Sequence, residues 1–129
     1  MKILLDTCTA LWWWQDSPRL SKMAREKIAE SRNTIYFSAA SALEVSIKVR
    51  LGKLGLSGMI SRDISAAVAV SGWKALPIEL NEAQRAGSLE WPHRDPFDRL
   101  LAAQAIQHHL NLITCDPVFS TLEELTVVW

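Results

Sequence analysis

Four acids spread along the chain, Asp6, Glu44, Asp98 and Asp116, have the chemistry to hold a divalent cation and so to support metal-assisted hydrolysis. Asp6 ends the apolar run Lys2–Leu5, and Asp116 ends the strand expected over Leu112–Cys115. Both then sit at the carboxyl edge of a parallel sheet, where Glu44 and Asp98 fall in the first turns of helices that start from the same edge. Around Glu44, Ala40, Leu43, Ile47 and Leu51 recur at helical spacing as one apolar stripe, so Glu44 is expected to point inward. Asp98 shares its face with Ala102, Ala105 and Ile106 and is expected to do the same. An inward carboxylate is costly unless it is paired or bound to metal. No single arginine or lysine is placed to neutralise all four. Hard oxygen donors of this kind favour Mg²⁺, with Mn²⁺ as a substitute.

Each acid alone has a local reading. Ser41-x-x-Glu44 matches a capping box, Asp95-Pro96 and Asp116-Pro117 look like N-caps, and Asp98 could simply favour the positive end of its helix. Their arrival at one edge is the reason to read them together. Asp95 remains a cap and an auxiliary group.

The elements that must position these acids follow from periodicity and from turn residues. Strands are expected at Lys2–Leu5, Thr34–Ser38, Ala75–Ile78, Leu112–Cys115 and Thr126–Trp129. Helices are expected at Thr7–Gln15, from Ser17-Pro18 to about Ser31, at Ala39–Leu51, Gly58–Ser71, Asn81–Leu89 and Pro96–His109, with a short one opened by Asp116-Pro117. Strands alternating with helices imply an α/β fold with a parallel sheet covered on both faces. The chain of 129 residues is the size of one domain, residues 1–129, with no repeat or long linker.

Composition narrows the class. Hydrophobic residues make up 49% and charged residues 22%, as in a folded globule. No apolar run approaches the roughly 20 residues that cross a bilayer, and Asp6 comes too early for a signal-peptide core. A cytoplasmic protein with no membrane role is expected. Its two cysteines, Cys8 and Cys115, have no zinc-site spacing and are expected to be buried thiols. With 14 basic and 14 acidic residues the net charge is zero, so any attraction to a nucleic acid must be local.

Four segments, in order, resemble the PIN-domain family, and within it the VapC-type toxins of type II toxin–antitoxin modules. They are Leu4-Leu5-Asp6-Thr7, Ser41-Ala42-Leu43-Glu44-Val45-Ser46, the block from His93-Arg94-Asp95-Pro96-Phe97-Asp98-Arg99 to Ala105, and Leu112-Ile113-Thr114-Cys115-Asp116. The resemblance implies a three-layer PIN-like fold with a central parallel five-stranded sheet in the order 3-2-1-4-5. It implies Asp6, Glu44, Asp98 and Asp116 as catalytic and metal-holding residues, with Thr114 beside them. It also implies an endoribonuclease toxin that hydrolyses RNA, an antitoxin that blocks the site, and a homodimer.

In such a reaction the cation polarises phosphoryl oxygens and activates water, so no histidine is needed as a base. His93 could touch phosphate or serve its loop; His108 and His109 read as helix C-terminal partners. Arg94, Arg99, Lys48 and Arg50 are candidate RNA contacts, against the alternative of solvated or ion-paired charges. Trp12, Trp13 and Trp14 turn about 100° apart on a helix, so at least one is expected to be exposed in a dimer or antitoxin contact, unless a wide core covers all three.

Rival functions separate on residues. A phosphatase using Asp6 as nucleophile wants Asp-x-Asp, and Cys8 stands in the third place. A nuclease for structured DNA, or a non-catalytic module that keeps the fold, is distinguished only by assay.

Overall fold

The structure is a computed structural model that describes residues 1–55 and 58–129. Five strands form it: β1 (Lys2–Leu5), β2 (Thr34–Ser38), β3 (Lys74–Leu76), β4 (Asn111–Ile113) and β5 (Val127–Val128). The helices are α1 (Thr7–Trp14), α2 (Lys22–Ala29), α3 (Ala39–Arg50), α4 (Gly58–Arg62), α5 (Ile64–Val70), α6 (Leu80–Ser88) and α7 (Pro96–Gln107), with a 3-10 turn at Pro117–Thr121. The strands lie in the order β3-β2-β1-β4-β5, and every neighbouring pair is parallel. This is the α/β architecture and the strand order expected above.

Alternation along β1 divides the core in two. Ile3 and Leu5 face one layer, with Ala10 of α1, Ala24 and Ile28 of α2, Val68 of α5, and Trp73. Leu4 faces the other, with Leu101, Ala102 and Ala105 of α7, Phe119 and Trp91. All three β1 residues are fully buried, as a central parallel strand covered on both faces requires.

Several boundaries differ from the sequence expectation, each for a local reason. The helix expected from Ser17-Pro18 begins at Lys22, because Ser21 is the residue whose side chain accepts from Ala24 N, at 3.0 Å. Ser17 instead accepts from Arg19 N inside a turn. The single helix expected over Gly58–Ser71 is two, divided at Asp63, which caps α5 by accepting from Ala66 N. The capping box at Ser41-x-x-Glu44 is absent. Ser38 caps α3 through Ala40 N, and Ser41 is buried, accepting from Thr7 Oγ1 at 2.9 Å.

Two expectations about burial are corrected. The stripe of Leu43, Ile47 and Leu51 is not core: these residues are 56%, 36% and 54% exposed, and α3 packs inward through Ala40, Ser41 and Val45. Cys8 and Cys115 are exposed rather than buried, because both lie just beyond the strand ends where the protein opens to solvent.

The three tryptophans of α1 are all half-buried, so none reaches the exposure expected of at least one. Trp14 stacks on Trp73 with ring centroids 5.1 Å apart and donates Nε1–H to Ser71 Oγ. Trp12 meets Trp129 edge-on at 5.9 Å. Trp13 packs on the same core. The wide-core alternative describes them best, since Trp73 and Trp129 come from distant parts of the chain to widen the layer. Among the described residues, no helix is long and apolar enough to cross a membrane.

Candidate active site

The chain leaves β1 for β2 and β3 on one side, then crosses to β4 and β5 on the other. The order therefore reverses between β1 and β4, the place where open parallel sheets leave a crevice beyond their carboxyl ends. Asp6 stands there. Its backbone N–H donates to Ile113 O at 3.1 Å, which continues the β1–β4 pairing one residue past the strand. Its Oδ1 accepts from Thr7 N at 2.7 Å, so the acid also caps α1. Its Oδ2 accepts from Thr114 Oγ1 at 2.7 Å, and that threonine is itself buried.

Asp6 is only 7% exposed. Burial pushes its carboxyl up to about 6, against the Thr114 and Thr7 hydrogen bonds, which favour the anion; the nearby Asp98 and Glu44 charges push it further up. Asp98 is also raised, first by burial and then by Asp95 and Glu44, which together outweigh His93. Asp6, Glu44 and Asp98, the first and last of them 92 residues apart in the sequence, thus share one field. Cys8, beside them, is held at about 11 by partial burial and by the Asp6 charge, so it is a poor source of thiolate.

Each acid also has a local partner. Glu44 pairs with Lys48 one helical turn on, Oε2 to Nζ at 3.1 Å. Burial opposes the Lys48 charge, but Glu44 more than offsets this and holds the ammonium above its usual range. His93 Nε2 lies 2.6 Å from Asp98 Oδ2. Asp95 caps α7, accepting from Phe97 N and Asp98 N. Asp116 is exposed, and its Oδ1 accepts from Val118 N to cap the 3-10 turn. Among the described residues no three His, Cys, Asp or Glu side chains converge closely enough to hold an ion as they stand.

The four expected acids are therefore not one tight cluster. Asp6, Glu44 and Asp98 come together electrostatically. Asp116 is tied to Thr114 through its backbone, its N–H donating to Thr114 Oγ1 at 3.0 Å, while its carboxylate turns to its own cap. The donor set still suits a hard cation. It is all oxygen, it is crowded with negative charge, and Lys48 is the cation paired with it.

The candidate RNA contacts divide in the same way. Lys48 is spent on Glu44. Arg99 directs its guanidinium to backbone carbonyls of the loop before α7. Arg94 and Arg50 are exposed and make no side-chain hydrogen bond or ion pair among the described residues. The sequence reading missed both His93 against Asp98 and Lys48 against Glu44. Spacing could have revealed the second, since a Glu four residues before a Lys is a helix pair.

The sequence profile of the PIN domain matches residues 3–125. The chain belongs to the PIN domain family. Among solved structures, this PIN domain is similar to VapBC2 from Rickettsia felis bound to a DNA fragment from their promoter, at 15% identity and TM-score 0.72, over 99% of this chain and 98% of that one. It is similar to DNA-bound VapBC from Salmonella typhimurium, at 15% identity and TM-score 0.71, over 99% and 97%. A toxin–antitoxin complex from Klebsiella pneumoniae aligns at 21% identity and TM-score 0.65, over 98% and 96%. At such identities the likeness is one of fold. Among curated protein sequences none matches this PIN domain.

Proposed function

We propose that this PIN domain, one domain over residues 1–129, is a metal-dependent endoribonuclease toxin of the VapC type, acting in the cytoplasm and neutralised by a cognate antitoxin. The observation that carries the reading is Asp6: a nearly buried carboxyl at the reversal of strand order, pushed to about 6 by burial with Asp98 and Glu44 adding to it. Such a group is easiest to keep ionised beside a cation.

Asp6, Glu44 and Asp98 would hold Mg²⁺ or Mn²⁺, with Asp116 at the rim. A cation there supplies Lewis acidity toward a phosphodiester and activates a water for attack. Thr114 fixes the rotamer of Asp6 and keeps it an acceptor. Lys48 pairs with Glu44 and would give way where that oxygen is taken up, whereas His93 holds Oδ2 of Asp98 and leaves Oδ1 to a cation. Of the four candidate cations, Arg94 and Arg50 are the exposed ones that could meet an RNA backbone. The fold neighbours are VapBC and other toxin–antitoxin complexes, which supports an antitoxin partner. The exposed stripe Leu43, Ile47 and Leu51 supports a homodimer, and the edges of Trp12, Trp13 and Trp14 left open are candidate partner contacts.

One observation favours a second reading. Every acid is satisfied locally, as it would be in a non-catalytic interaction module that keeps the fold. Cleavage of total RNA and of a structured DNA by the purified chain, with Mg²⁺, Mn²⁺ or EDTA, separates them. The toxin reading expects RNA cut only with metal, and at least a hundredfold loss in Asp6→Asn and in Glu44→Gln with far-UV circular dichroism unchanged. Undiminished cutting in EDTA or in either variant would refute it. DNA cut in preference to RNA would replace the substrate, and no cutting at all would leave the interaction module.

A further inference from the structure

The loop joining α6 to α7 is organised by one side chain. Arg99 Nε donates to Ala86 O at 2.8 Å, Nη1 to Trp91 O at 2.7 Å and to His93 O at 2.8 Å, and Nη2 to Leu89 O at 2.6 Å and more weakly to Gly87 O at 3.4 Å. Ala86 and Gly87 lie in the last turn of α6, whose carbonyls have no partner within the helix. A guanidinium there satisfies them and meets the negative end of the helix dipole. No carboxylate pairs with Arg99 among the described residues. Its whole donor fork is committed to one stretch of backbone.

We propose that Arg99 is a positioning residue and not a phosphate contact: by gathering the carbonyls of residues 86–93 it sets His93 against Asp98, and through His93 it fixes the direction of that carboxylate. The inference rests on reading Asp98 as a metal-holding acid.

The path is short and closed. Arg99 and Asp98 are neighbours on the first turns of α7, yet their side chains leave in different directions. Arg99 seizes the incoming loop, and the loop returns His93 to Asp98, Nε2 to Oδ2 at 2.6 Å. The imidazole is held on its other side by Trp91, with ring centroids 4.9 Å apart. Trp91 is buried, packs on Phe119 and donates Nε1–H to Thr121 Oγ1 at 2.8 Å, so the ring beside His93 is itself anchored. One oxygen of Asp98 is thereby occupied, and Oδ1 has no hydrogen bond among the described residues. Carboxylates that hold metals are oriented in this way by an outer hydrogen bond. Lysine cannot replace Arg99 here. Its donors radiate from one nitrogen, whereas the carbonyls of residues 86, 89, 91 and 93 are met from three separate nitrogens of a planar fork.

The test uses the full chain, as wild type, Arg99→Lys, His93→Ala and the double variant. NMR of the metal-free protein reads the Asp98 carboxylate carbon and the His93 ring nitrogens, and electron paramagnetic resonance reads Mn²⁺ binding. Arg99→Lys is expected to move the Asp98 carboxylate resonance to its position in His93→Ala. It is expected to weaken Mn²⁺ about tenfold, as loss of an outer-shell partner does, and the double variant should be no weaker than His93→Ala alone. Asp98 and His93 resonances unmoved by Arg99→Lys, or losses that multiply in the double variant, would overturn the proposal. Arg99→Gln is read in place of Arg99→Lys if the latter does not give a native circular dichroism spectrum. Independently of any variant, the wild-type Arg99 Nη protons should be slow to exchange and individually resolved; averaged Nη signals would also overturn it. If the wild type binds no Mn²⁺, the metal-holding reading of Asp98 fails, while the chemical shifts still decide whether Arg99 places His93.

Discussion

Thr114 Oγ1 donates to Asp6 Oδ2 at 2.7 Å, across the ends of the two strands between which the sheet order reverses. The bond makes Thr114 part of the electrostatics of the crevice, because it stabilises the ionised form of an acid that burial disfavours. In Thr114→Val the Asp6 carboxyl should rise above about 6, where wild type holds it. The loss of the buried bond is expected to cost about 1–3 kcal/mol at pH 7.5, and less at pH 4.5, where Asp6 is already protonated. Urea unfolding at the two pH values measures this, and equal losses at both would argue against it.

The raised carboxyl has a second consequence for the metal-free protein. Its folded value of about 6 exceeds the ordinary 3.8, so the native state binds more protons between these values than the unfolded state does. Stability from this group is therefore full below about pH 4 and falls as pH rises to about 6, by an amount on the order of 3 kcal/mol. Asp6→Asn should stabilise the metal-free chain at pH 7 and abolish activity. Thermal melts from pH 4 to pH 7 should show a flatter profile in the variant.

Cations should reverse that penalty. Mn²⁺ at a hundred times its dissociation constant is expected to add about 2.7 kcal/mol of stability. The gain should be larger at pH 7 than at pH 5, because holding the metal requires Asp6 deprotonated. Melts with Mn²⁺, with EDTA and in Asp6→Asn check this; an equal gain in Asp6→Asn would place the ion elsewhere.

Far from the crevice, Glu82 is 1% exposed and accepts from Glu79 N, from Gln104 Nε2 and from the ring of His108. Burial works against its charge, but these partners outweigh it and hold the carboxyl below its ordinary range. A depressed acid stabilises the fold above its unfolded value of 4.5 and loses that contribution as pH falls below it. Glu82→Gln should cost about 1–3 kcal/mol at pH 7 and much less at pH 3.5. His108→Ala should also destabilise at pH 7, by removing one of the three donors.

The apolar stripe on α3 should report on assembly. Leu43 and Leu51 are more than half exposed, with Ile47 between them one turn from each. If a second copy covers this face, Ile47→Lys should convert dimer to monomer in sedimentation velocity with the melting temperature little changed. A wild type that is monomeric at 100 times working concentration would leave the stripe to the antitoxin.

Much of the fold is legible in short stretches. Lys2–Leu5 is apolar on both of its faces and becomes the central strand, and Pro96 after Asp95 marks the start of α7 to the residue. The errors share one cause. Leu43, Ile47 and Leu51 have helical spacing, but periodicity says only that they share a face, not which face meets the core. Ser17-Pro18 has the composition of a helix start, yet Ser21 four residues later wins the cap because α2 must begin where Ala24 and Ile28 can reach the sheet. Three tryptophans on one short helix overfill the core it alone could offer, and Trp73 and Trp129 enlarge that core from elsewhere.

The sequence by itself determined the parallel sheet, the placing of Asp6 at a strand end and of Asp98 in the first turn of a helix, and the ordered acidic segments, because each depends on neighbours a few residues away. Only the tertiary structure decided what those acids meet. Whether Glu44 faces Lys48, whether His93 reaches Asp98 and whether Arg99 has any donor left for a phosphate all depend on chain that arrives from other elements, and burial with the charges gathered there sets the proton affinity of Asp6.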